Sequence, residues 1–235
     1  MSKLVIDIET VGESFEEMDA ITQMELTKNI TAEVGSDAYQ GELDIIKRNL
    51  VFSPTTGEIV AIGVLDVERS RGIVYFQAPG SDVVEFEKEN IIYKPMDERQ
   101  ILDSFWGGAA HYDEFITYNG RGFDIPYINA RSAKYGVRIG KNLMSNRYVN
   151  NQDYEARHVD LYDQFGYYGA VYRQGSMHMW TRLFGIDTPK GGEVSAKTVG
   201  DAFREGKYKE IAEYNAKDLW ATKALYEYWS EYMKV

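Results

Sequence analysis

The chain has 235 residues, 44% of them apolar, with 18 Tyr, 10 Phe, no Cys and a formal net charge of −11. This composition fills a packed core and excludes a disordered chain, and the length suits one large domain over residues 1–235. It also excludes disulfides, thiolate zinc sites and cysteine nucleophiles; no apolar run approaches the ~20 residues of a membrane-spanning helix, and the charge disfavours a broad basic surface for duplex nucleic acid. The lack of Cys and of a secretory signal suits a cytoplasmic protein.

The first element is Lys3-Leu-Val-Ile-Asp-Ile-Glu-Thr10, a Val/Ile-rich run that reads as a buried strand. Side chains alternate along a strand, so Asp7 and Glu9 share one side, roughly 7 Å apart along it. A buried strand carries two such acids only if something neutralises them, and a divalent cation is the simplest candidate. A solvated strand end is the alternative.

From about residue 11 to 57 no strand is evident, which predicts a helical insertion. Phe15, Met18, Ile21 and Met24 recur every three residues, as do Leu43 and Ile46 with Leu50 four further on, the spacing of short amphipathic helices. Its place directly after Glu9 suits a lid over the site, or an element that only packs. Ser53-Pro-Thr-Thr-Gly57 is a turn. Ile59–Asp66 and Gly72–Gln77 are strands close enough for an antiparallel hairpin. Asp97 caps a helix through Ile101, Leu102, Phe105 and Trp106. Phe115–Tyr118 is the next strand, and Phe123 to Tyr135 a helix with Pro126 in its first turn. This order predicts an α/β fold, a mixed sheet flanked by helices.

Residues 131–157 are the most basic stretch, with Arg131, Lys134, Arg138, Lys141, Arg147 and Arg157, a candidate phosphate-contacting surface or a solvated loop. Ser176–Phe184 reads as a helix, Pro189–Gly192 as a flexible break, and Ser195 as the cap of a short helix to Phe203. A long helix begins near Tyr208. At about 100° per residue, Ile211, Thr222, Leu225 and Trp229 share its inner face, and Asp218 falls about 20° from Ile211. Tyr214 lies one turn before Asp218. An inward carboxylate needs a partner, whether a cation, a buried Arg or the tyrosine hydroxyl.

Asn119-Gly-Arg-Gly-Phe-Asp124 places another acid just past a strand, at the sheet edge where α/β folds bind ligands. Phe123 beside it is suited to stacking on a base. His158 reads as an ordinary core or surface histidine, and Asp160 and Asp163 as structural acids. No phosphate-binding Gly-x-x-x-x-Gly-Lys or Gly-x-Ser-x-Gly sequence occurs.

Taken in order, Asp7-x-Glu9, Asn119-x-x-x-Phe123-Asp124 and Tyr214-x-x-x-Asp218 resemble the DEDD superfamily of proofreading 3′–5′ exonucleases, in its tyrosine subgroup. Tyr118-Asn-Gly-Arg-Gly-Phe-Asp-Ile-Pro-Tyr127 is most similar to the exonuclease domain of family-B DNA polymerases. The resemblance runs from Lys3 to about Tyr232 and is weakest over 11–57. It implies a ribonuclease-H-like fold and two-metal hydrolysis of phosphodiesters at single-stranded DNA ends with Mg²⁺ or Mn²⁺. It further implies that Asp7, Glu9, Asp124 and Asp218 ligate the cations, with Asp7 bridging, and that Tyr214 orients the attacking water. Thr10 and Asn119 would contact the terminal nucleotide, and Phe123 would stack on it. An exoribonuclease on the same fold, a non-catalytic nucleic-acid-binding module and a ribonuclease-H-like endonuclease are the alternatives. No membrane partner is expected.

Overall fold

The computed structural model describes residues 1–172, 174–186, 195 and 198–234. The Pro189–Gly192 break expected from sequence lies outside the described residues. Seven strands form one sheet: β1 (Lys3–Gly12), β2 (Gly57–Asp66), β3 (Arg71–Phe76), β4 (Phe86–Lys88), β5 (Ile91–Pro95), β6 (Glu114–Thr117) and β7 (Arg157–Asp160), in the order β4-β5-β3-β2-β1-β6-β7. β1 pairs antiparallel with β2 and parallel with β6, and β6 pairs parallel with β7. β2 and β3 form the expected antiparallel hairpin, with Asp66 opposite Arg71. The sheet is therefore mixed and the fold α/β, consistent with the ribonuclease-H-like class.

The eight helices among the described residues are α1 (Ala20–Thr27), α2 (Asp37–Asn49), α3 (Glu98–Ala109), α4 (Asp124–Lys134), α5 (Leu161–Phe165), α6 (Met177–Phe184), α7 (Val199–Arg204) and α8 (Tyr208–Tyr232). Alternation along β1 gives the sheet two apolar faces. Leu4, Ile6 and Ile8 pack with Ile101, Leu102 and Phe105 of α3 and Ile125 and Ile128 of α4. Val5, on the opposite face, packs with Ala216, Leu219 and Leu225 of α8. Asp7 and Glu9 share the Val5 side, so both acids lie under α8.

The pairing of β1 with β2 shifts register between Glu9 and Thr10, so Val60 has no partner opposite. Ile59 and Ile62, three residues apart, consequently join the same apolar cluster. Bulges of this kind bend a strand and re-aim side chains, and this one sits at the acids.

Several expectations need correction. β4, β5 and β7 have no counterpart in the sequence reading, because they are three to five residues long and carry too few alternations to register. The 11–57 stretch does form two short helices, but their apolar positions are only partly covered: α1 and α2 bury no residue, Ile21 and Met24 are exposed, Leu43 and Ile46 are half-buried, and only Leu50, just past α2, is buried. Ser195 does not cap the following helix; it accepts the Val199 N–H through its carbonyl, and α7 starts after Thr198.

Candidate active site

The carboxyl end of β1, the loop after β6 and the middle of α8 converge on one pocket of about 160 Å³. Asp7, Glu9 and Thr10 line it from β1, Phe123 from the β6–α4 loop, Tyr214 and Asp218 from α8, Val51 and Phe52 from the turn at Leu50–Phe52, and Val199 from the start of α7. One ligand oxygen from each of Asp7, Glu9 and Asp218 lies within 4.8 Å of the other two. Residues 209 and 211 positions apart in sequence from Asp218 thus meet because α8 lies across β1.

Asp124 stands beside this trio without being a member of it. It is the first residue of α4, buried, and its Oδ1 accepts the Ile8 N–H at 3.1 Å. That bond ties the start of α4 to β1 between the two strand acids. Burial pushes its carboxyl up to about 7, with Asp160 adding repulsion.

Asp7 and Glu9 are also raised well above the usual carboxylate range. Burial is the main cause for both; repulsion follows, from Asp124 and then Asp218 for Asp7, and from Asp218 and then Asp124 for Glu9. The Asn215 amide relieves both, and its Nδ2 donates to Asp7 Oδ2 at 2.7 Å. Carboxylates crowded this closely form a donor set for hard divalent cations, and the residues present fit such a group. The Tyr214 phenol is held far above its ordinary value by burial first and then by Asp218, to which it also donates a hydrogen bond. It stays neutral.

Asn215 escaped the sequence reading. It is fully buried, and its Oδ1 has no hydrogen-bond partner. A Cβ on Gly63 of β2 would collide with that Oδ1, so a glycine is needed where α8 crosses the sheet. That glycine in the middle of an apolar strand was the signal available in the sequence.

The remaining predicted residues fall as follows. Thr10 reaches the pocket, but its hydroxyl donates to the Val51 carbonyl at 3.1 Å. Asn119 is exposed on the loop, in the left-handed region at φ 66°, and does not line the pocket. Its N–H and that of Arg121 donate to Asp160 at 2.7 and 2.9 Å, so Asp160 shapes the loop that carries Phe123 and Asp124. His158 is a core residue between Thr117 and the Leu143 carbonyl, lowered to about 4 by burial. Much of the basic stretch serves the protein itself. Arg131 pairs with buried Glu98, Lys141 donates to the Tyr112 and Glu155 carbonyls, and Arg147 pairs with Asp163.

Residues 56–233 match a family described as a predicted 3′–5′ exonuclease related to the exonuclease domain of PolB. The chain belongs to that family. The match takes in Asp124, Tyr214 and Asp218, while Asp7, Glu9 and the insertion lie before it. Among curated proteins, the chain is 29% identical to a DNA polymerase of Methanocaldococcus jannaschii over 52% of its own length and 7% of the polymerase. It is 26% identical to one of Pyrococcus glycovorans over 65% of the chain and 21% of the polymerase. A Thermococcus gorgonarius DNA polymerase is 29% identical over 75% of the chain and 22% of the polymerase. The chain thus spans about a fifth or less of these relatives. The family's exonuclease activity implies a nucleic-acid substrate and a divalent cation, and the acidic cluster agrees with the latter. Among the described residues no helix is long and apolar enough to cross a membrane.

Proposed function

We propose that the chain is a metal-dependent 3′–5′ exonuclease that hydrolyses phosphodiester bonds at single-stranded DNA ends. The observation that carries this reading is the convergence of Asp7, Glu9 and Asp218 within 4.8 Å, beside Tyr214 and under Phe123. DNA is preferred to RNA because the relatives are DNA polymerases. The whole chain, residues 1–235, is read as one domain bearing a helical insertion at about 11–57.

Asp7, Glu9 and Asp218 would hold one divalent cation, and Asp7 with Asp124 a second, Mg²⁺ or Mn²⁺. When bound, these cations neutralise phosphoryl charge and lower the pKa of the attacking water. The protein supplies position and proton control. Asp124 holds the α4 start against β1 and so fixes the depth of Phe123. Asn215 fixes the rotamer of Asp7 through its Nδ2. Tyr214 keeps its proton and directs its hydroxyl, hydrogen-bonded to Asp218, toward the attacking water. Phe123 gives the terminal base an apolar face. Thr10, whose hydroxyl donates to Val51 and keeps lone pairs to accept, and Asn119, exposed on the loop outside the pocket lining, would contact the terminal nucleotide.

The test uses 5′-labelled single-stranded DNA and RNA of the same sequence with Mg²⁺, Mn²⁺ or EDTA, and Asp7→Ala in parallel. The expected outcome is a metal-dependent ladder receding from the DNA 3′ end and absent in the variant. Faster shortening of the RNA would reverse the substrate assignment. Cleavage of circular DNA, or binding without turnover under every metal, would overturn the reading.

A further inference from the structure

Two aromatic rings meet at the pocket mouth, and only one belongs to a recognisable motif. Phe123 follows Asn119-Gly-Arg-Gly, whereas Phe52 comes from a turn near the end of the 11–57 insertion, before the stretch covered by the family match. Their centroids lie 6.3 Å apart with planes at 68°, an edge-to-face pair, and both line the carboxylate pocket. Tyr127 backs Phe123 from the core side at 5.4 Å.

Phe52 is 64% exposed, which leaves a large apolar ring in water at the rim of the site. The turn that carries it is firmly attached. Leu50 is buried against the end of β1, where a Cβ on Gly12 would approach Leu50 Cβ to 2.9 Å. The hydroxyls of Thr10 and Thr56 donate to the carbonyls of Val51 and Leu50 at 3.1 and 2.9 Å. The two residues just before Phe52 are thus held, Leu50 and Val51 against the strand that carries the acids and Leu50 also by Thr56 of its own turn, and the exposed ring is held in place at the pocket rim. Packing does not account for that arrangement, since so much of the ring touches nothing.

We infer that Phe52 is a second base-contacting wall, and that the terminal nucleobase of the substrate rests against Phe52 and Phe123 together. This rests on the exonuclease reading and adds to it. Stacking tolerates any base because every base offers a flat face, so the pair selects an unpaired end rather than a sequence. A base-paired end keeps its terminal base stacked within the duplex and has no free face to offer two rings. The insertion then contributes to end recognition through the Val51–Phe52 turn, while α1 and α2 stand apart from the pocket lining.

The experiment pairs Phe52→Ala with removal of the base it would touch. Two labelled single strands are compared, one with an ordinary 3′ nucleotide and one with a 3′ abasic residue. Affinity is read by fluorescence anisotropy in Ca²⁺ on an Asp218→Asn background, which separates binding from turnover. Phe52→Ala is expected to weaken the ordinary end by about five- to 150-fold, the range of one base–aromatic stack, and to leave the abasic end unchanged. Phe52→Trp restores the lost affinity, and 2-aminopurine at the 3′ position is quenched by the Phe52 protein and not by Phe52→Ala. Equal losses on both ends would make Phe52 a structural residue and overturn the inference, as would no loss on either. Wild-type protein that shortens no 3′ end would instead remove the exonuclease reading beneath it, a result obtained separately from the variant.

Discussion

Each acid of the pocket is held by local structure whose cost falls on the acid itself. Asp7 is fixed by the Asn215 amide, lies close to Asp124, and is forced up in pKa by burial and by three neighbouring carboxylates. In a cation-free protein at pH 8 its negative charge therefore opposes folding. Asp7→Asn keeps an oxygen to accept the Asn215 N–H and removes the charge. In EDTA it should raise stability at pH 8 by on the order of 1 kcal/mol or more, since each pKa unit carries about 1.4 kcal/mol. Its nuclease activity should fall by more than the ~100-fold typical of losing a partner one layer outside the ligands. Thermal unfolding in EDTA and single-turnover cleavage check the two halves. A variant less stable than wild type in EDTA would show that the Asp7 charge is already compensated. Residues that titrate toward neutrality when buried together are a mark of functional sites, because a core selected for stability alone would not assemble them.

The elements are held in register by a second buried charge system that takes no part in the pocket. Glu98, at the start of α3, accepts Arg131 Nε and Nη2 at 2.7 and 2.6 Å, the Tyr135 hydroxyl at 2.9 Å and the Ile59 N–H at 2.8 Å. Arg131 also donates to the Pro54 carbonyl at 3.2 Å. One ion pair therefore links α3, α4, β2 and the turn at the end of the insertion. Arg131→Ala should cost ~3–5 kcal/mol, because it leaves Glu98 charged and buried without its partner. Replacing both residues with apolar groups of similar size should cost less. Urea unfolding of the single and double variants measures the difference, and equal losses would mean that the hydrogen bonds to Ile59 and Tyr135 satisfy Glu98 unaided. Arg131 stood in the basic stretch considered for phosphate contact. A run of cations reads alike in sequence whether its guanidinium groups face water or an internal carboxylate.

Across the whole molecule, the parallel order of β1, β6 and β7 brings three carboxyl ends to one edge of the sheet. There the acids Asp7, Glu9, Asp124 and Asp160 accumulate, and the folded chain binds protons more tightly than the unfolded one. Asp124 titrates at about 7 against 3.8 for an unperturbed carboxyl, and Asp7 and Glu9 shift in the same sense. Stability in EDTA should thus be highest near pH 4 and fall as pH rises through about 7, by a few kcal/mol in total. Saturating Mn²⁺ or Mg²⁺ should flatten that slope, because cations bind only the folded, ionised cluster. Melting temperature against pH, with and without the ion, gives both curves. A slope that metal leaves unchanged would mean the cluster holds no cation.

Local pattern identifies some site residues and leaves others hidden. Asp7 and Glu9 were legible as a pair because strand alternation is local and strict, and Asp218 as inward-facing because helical periodicity is equally so. The loop Asn119–Asp124 was legible from its glycines and its position after a strand. The mixed sheet and the hairpin followed from spacing, while β4, β5 and β7 were too short to carry a pattern. Asn215 and Phe52 were not legible as site residues. Nothing local separates a buried Asn on a helix from a solvated one, or an aromatic at a pocket rim from one in the core. Only the crossing of α8 over β1 brings Asp218 to the strand acids, and only the anchoring of the Leu50–Phe52 turn on Gly12 and Thr10 sets Phe52 over them. Periodicity is fixed within one element, and so belongs to the sequence; proximity between elements depends on how many faces must be buried at once, and so belongs to the tertiary structure.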